Sequence, residues 1–152
     1  MPLLADILLA QGQAGNAREI LERLYKYQPV AARPRLVQAL LILAKENTGD
    51  EQLKLYEQVL ELDAEQPEAK IGWQNIWQRR GDEAYRADNL KTALAAYKTA
   101  NLGDKVAKIE QEIRDRKFKA QLKTLIEAEQ AELKNFRSNY RNFRGFEKNN
   151  YK

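Results

Sequence analysis

The sequence predicts an all-α protein. Apolar residues recur at i, i+3, i+4 and i+7 through most of the chain, the period of a helix with one buried face. The few breakers sit between those stretches: the chain has only 4 Pro and 7 Gly in 152 residues. Small residues recur inside the helical stretches, where two helices could approach closely.

The elements follow in order. Residues 3–10 form a short apolar helix, and Gln11 to Asn16, with Gly12 and Gly15, form a turn. Asn16 is placed to cap a second helix carrying Ile20, Leu21, Leu24 and Tyr27, which Pro29 ends. Pro34 suits the first turn of a third helix with Leu36, Val37, Leu40, Leu41 and Leu43 on one face. Asn47 to Asp50 make the next turn. A fourth helix follows with Tyr56, Val59, Leu60 and Leu62 as its stripe. The fifth is predicted from about Pro67 to Ala87 and the sixth from Asn89 to Ala100, closed by Asn101-Leu102-Gly103. Asp104 caps a long seventh helix. Val106, Ile109 and Ile113 line one face of it. The stripe then shifts phase and resumes at Phe118, Leu122, Leu125, Leu133 and Phe136. That shift argues against a long regular coiled coil. Phe136, Tyr140 and Phe143 keep helical spacing, so the helix is expected to reach Arg144 and stop at Gly145, with Asn149 to Tyr151 frayed.

Residues 77–100 carry the most specific signal. Trp77, Gly81, Tyr85, Leu90, Ala93, Tyr97 and Ala100 are spaced as in a tetratricopeptide repeat, and the stretch resembles that family. The resemblance is strong over 50–102, weak over 3–47 and absent from the tail. Ala17, Gln52 and Ala93 occupy the equivalent small-residue slot, 35 and 41 residues apart; the family period is about 34. The excess of about seven residues, two helical turns, is assigned to the fifth helix. The resemblance implies about three antiparallel hairpins in a right-handed array over residues 1–103. A capping C-terminal helix over 104–136 and a basic aromatic tail over 137–152 would follow. The first repeat is short, the pattern of an adaptor domain within a longer protein.

Composition excludes several functions. The chain has no Cys and no His, so disulfides, thiolate metal sites and imidazole general bases are absent. No Gly-rich phosphate loop is present, and neighbouring carboxylates such as Asp82 and Glu83 point different ways on a helix. The sequence calls for no enzyme activity, no cofactor and no metal. No apolar run could span a bilayer, and the N-terminus lacks a signal peptide's basic lead. A cytoplasmic protein without membrane contact is the expectation.

Charge is uneven. Lys134, Arg137, Arg141, Arg144, Lys148 and Lys152 face only Glu147, a net +5 over 134–152, while the other residues hold 20 basic and 21 acidic groups.

Two surfaces are candidates for partner binding. In the family the first helix of each repeat lines the concave face, which implies Asn75, Gln78, Arg79 and Asp82 for a peptide backbone; a solvated helix face gives the same pattern. Trp73 and Trp77 share one face at i, i+4. Both fit a core, and Trp73 alternatively anchors a partner. Pro2 and Asp6 stand where one subtype clamps chaperone tails with Lys and Asn, so that ligand is not implied. The second surface alternates aromatic rings with arginines: Phe136, Arg137, Tyr140, Arg141, Phe143, Arg144 and Phe146. It suits docking to a protein, stacking on single-stranded nucleic acid, or a helix end with its aromatics turned inward. The expected function is a non-enzymatic adaptor binding a peptide or partner protein. The alternatives are a nucleic-acid accessory protein and an assembly subunit dimerising through the long helix.

Overall fold

The computed structural model describes residues 2–150. These are 88% helical and contain no strand. Seven helices run in order: α1 (Pro2–Ala10), α2 (Ala14–Tyr25), α3 (Pro29–Glu46), α4 (Gly49–Leu62), α5 (Pro67–Arg86), α6 (Leu90–Thr99) and α7 (Gly103–Asn150). The chain divides into two compact units at residue 106.

In the first unit each helix from α1 to α6 packs on the next, and α1 also packs on α3. Small residues make the contacts close: Ala5, Ala17, Ala32, Ala39, Ala44, Ala69, Ala93 and Ala96 are buried. Leu21, Leu40, Leu55 and Val59 fill the space between them. Cross-helix ion pairs on the rim include Arg35 to Asp6, Lys45 to Glu68, Arg80 to Asp50 and Lys105 to Asp82. Exposed pairs of this kind fix geometry more than they stabilise.

Three helices end alike. After α1, α5 and α6 one residue takes the left-handed conformation: Gly12 (φ 73°), Asp88 (φ 58°) and Asn101 (φ 55°). The following amide then donates back to the last turn: Gln13 to Leu8, Asn89 to Ala84 and Leu102 to Tyr97, at 2.8–3.0 Å. Each closure satisfies carbonyls the helix leaves open. At the starts, the Gln66 side chain accepts from the Ala69 amide and Asn89 from Thr92.

Several boundaries differ from those the sequence suggests. α2 begins at Ala14, so Asn16 lies inside the helix and donates to the Gln13 side chain at 3.0 Å rather than capping. α3 begins at Pro29, not Pro34. The proline at position 29 already has the φ of a first helical residue, and Ala32, buried in the added turn, holds it down. Pro34 is therefore interior and forfeits one backbone hydrogen bond.

The second unit is the α7 helix from residue 107 onward. It continues through Gly145 to Asn150. Gly145 keeps a negative φ, and a lone glycine costs a helix only about 1 kcal/mol relative to Ala. Residues 137–150 thus belong to the same helix as 104–136. Tyr151, expected to fray, and Lys152 lie outside the described residues.

Candidate partner-binding surfaces

The first surface is built on α5, which two tyrosines grip from opposite sides. A Cβ at Gly72 would overlap the Tyr56 ring of α4, and one at Gly81 would overlap the Tyr97 ring of α6. The two glycines are nine residues apart, about 180° around the helix at 100° per residue. Each lets a ring lie directly on the helix backbone. Tyr56 and Tyr97 are both buried, so neither ring is free to swing away.

This grip presents one face of α5 to an open hollow of about 480 Å³. Asn75, Gln78, Arg79 and Asp82 line it together with Gln52, Tyr56, Gly72 and Ile76. Four of the five residues expected at the groove are thus brought together. Trp73 is not among them. It lies across α5 in a separate, mostly apolar hollow of about 340 Å³ with Leu60, Lys70, Gln74 and Ala100. Its Nε1 donates to Glu57 at 3.3 Å, and its ring meets Trp77 edge-on at 6.3 Å. Both tryptophans are half-buried against the core. The Trp77 ring carries the Arg80 guanidinium at 4.9 Å, while its Nε1 is sealed without a partner.

The polar groups in the groove differ in what they can still bind. Asp82 is occupied: it accepts from the Tyr97 hydroxyl and the Lys105 ammonium, each at 2.6 Å. Those bonds, Lys105 first, hold its carboxyl below the usual carboxylate range despite partial desolvation. Burial pushes the Tyr97 hydroxyl up to about 12, with the bond to Asp82 acting in the same direction. Lys105 also sits 5.0 Å from the Tyr97 ring centre. Asp82 is therefore a strut. Gln52 is half-engaged, donating to the Ala44 carbonyl at 2.9 Å. Asn75, Gln78 and Arg79 keep their side-chain donors available to a ligand. No cluster of three or more acidic, His or Cys side chains that could hold a metal occurs among the described residues.

The sequence did not mark Gln52, Tyr56, Gly72 or Ile76 as groove residues. One signal points to two of them: Tyr56 and Gly72 are 16 residues apart, as are Gly81 and Tyr97. Asp6, at the chaperone-clamp position, is bound instead by Arg35 at 2.7 and 3.1 Å, which keeps its carboxyl low.

The second surface lies on α7. Phe136 (69% exposed), Tyr140 (55%), Phe143 (58%) and Phe146 (67%) all face solvent, so the tail aromatics do not turn inward. Phe136 and Tyr140 stack, 6.5 Å apart and 14° from parallel. Lys134, Arg137, Arg141, Arg144 and Lys148 form a parallel stripe, one residue and so about 100° around the helix from the apolar one. None of these five makes an ion pair among the described residues.

No protein family's sequence pattern matches the chain, nor does any curated protein or solved structure. Among the described residues, no helix is long and apolar enough to cross a membrane.

Proposed function

We propose that this protein is a non-enzymatic interaction scaffold. Its first unit is a tetratricopeptide-like array of helical hairpins that takes an extended peptide or partner protein in the α4–α5 groove. The α7 face around residues 136–146 is a second contact. A cytoplasmic location goes with this reading. The observation that carries it is the row of uncommitted donors, Asn75, Gln78 and Arg79, on a helix clamped by two glycine–tyrosine contacts. Pre-positioned donors spare a ligand the cost of ordering them. The close approach of α5 and α6 through Gly81, Ala93 and Tyr97 supports the family resemblance.

The test is a pull-down from the source organism using the full chain, an Asn75→Ala/Arg79→Ala variant and a chain ending at Lys134, each with and without nuclease. A protein partner lost with the double variant places the site in the groove. Loss of one charge-assisted bond from Arg79, worth about 1.5–3 kcal/mol, corresponds to a complex weaker by about 10- to 150-fold. Capture by the double variant equal to that of the full chain would remove the groove from the reading. One observation favours a second function: stacked aromatics beside an unpaired cation stripe also suit single-stranded nucleic acid. Capture abolished by nuclease and falling steeply with salt would establish it.

A further inference from the structure

We propose that the occupant of the α7 surface is a second copy of this chain, bound antiparallel through residues 122–147. This names the partner at the second contact above and rests on α7 being an interaction surface. Leu122, Ile126, Leu133, Phe136, Tyr140 and Phe143 are 45–69% exposed and form one stripe. Their spacing is that of three heptads with alternate steps of three and four, interrupted once, by Glu129. The stripe is too short for the long coiled coil that the phase shift excludes, but long enough for a local pair.

The register follows from the interruption. In a parallel pair Glu129 would face its own copy in the seam, and the five cations of 134–148 would lie beside themselves. An antiparallel pair centred between Lys134 and Asn135 sets Leu133 against Phe136 of the second copy and Ile126 against Phe143. The same register sets Glu129 against Tyr140, whose hydroxyl can donate to the carboxylate. It also lays the basic end alongside Glu127, Glu129 and Glu132. Six half-exposed apolar side chains offer on the order of 100 Å² each. With the alkyl stems of Arg137 and Arg144, this approaches the ~800 Å² per partner of a standard interface. One like-charge contact remains at the flank, Lys123 against Arg144 of the second copy. The opposed charges outnumber it, so salt should loosen the dimer.

The experiment is sedimentation equilibrium of the full chain from 1 to 100 µM at low and high salt. A dimer is expected, weaker by severalfold at high salt. Phe136→Asp/Phe143→Asp should be monomeric with unchanged helicity by circular dichroism, and Lys123→Glu should tighten the dimer at low salt. Since the chain has no Cys, Thr124→Cys takes a single spin label. The antiparallel register puts the two labels about 30–35 Å apart at 1.5 Å per residue; a parallel pair puts them under about 20 Å. The proposal is overturned by a monomer throughout, by a dimer that survives the double aspartate variant, or by the short label distance. Association that appears only on adding a single-stranded RNA oligonucleotide overturns it too. Arg79 lies outside this surface, so failure here and failure of the groove reading are separate results.

Discussion

Tyr97 concentrates the chemistry of the first unit in one side chain. Its ring closes the α5–α6 contact over Gly81, and its hydroxyl ties Asp82 into place. Tyr97→Phe keeps the ring and removes the bond, so denaturant melts should show a loss of about 1–2 kcal/mol. The pH dependence has a definite sign. Folding holds the hydroxyl neutral, with a pKa of about 12 against an ordinary 10. Stability from this group is complete below pH 10 and is lost as pH rises from 10 through 12. Tyr97→Phe should flatten that alkaline loss. Asp82 runs the other way: its pKa is lowered in the fold, so its contribution is complete above about pH 4 and drains as pH falls below that. Asp82→Asn should flatten the acid limb of the same stability curve. The sequence marks Tyr97 and Gly81 by their spacing, but the Asp82 link was invisible in it. A carboxylate on an exposed-looking helix face gives no sign that a tyrosine on the next helix and Lys105 on the one after converge on it.

At the scale of the element, α5 and α7 make a contrast. In α5, glycine is a packing device. Gly81→Ala gains about 1 kcal/mol of helix propensity but drives a methyl into a buried ring, and overpacking costs about 1–3 kcal/mol. The ring is held on both sides, so the clash should win, giving a net loss in a thermal melt. In α7, Gly145 has open space around it. Gly145→Ala should therefore raise helicity, with a local gain of up to about 1 kcal/mol seen as slower amide exchange over 142–149. The extent of α5 was legible beforehand, because Pro67 starts it and the Asp88–Asn89 pair ends it. α3 and α7 were less so. The local signals at Pro34 and Gly145 are penalties of limited size, and a helix continues past them when its neighbours favour the helical state.

On the scale of the whole molecule, the two units follow different rules. The first buries its apolar faces helix on helix, and the polar groove residues Asn75, Gln78 and Arg79 lie outside that core. Asn75→Ala and Arg79→Ala should thus leave the melting midpoint within a degree or two while changing ligand capture, as surface substitutions usually shift stability by less than about 0.5 kcal/mol. A large drop in the midpoint would make these residues structural and remove the groove as a separable site. The sequence by itself determined the helical class, most helix lengths, the positions of the small residues and the charge asymmetry. These are local: periodicity, propensity and caps act within a few residues. Only the tertiary structure decided which side chains meet. It brought Gln52 and Tyr56 from α4 to the face of Asn75 and Arg79, turned Trp73 to the other side of α5, and committed Asp82 to a strut. Such pairings depend on how far one helix is rotated against the next. That rotation is fixed by where a glycine admits a ring, a property of two surfaces together that neither segment carries alone.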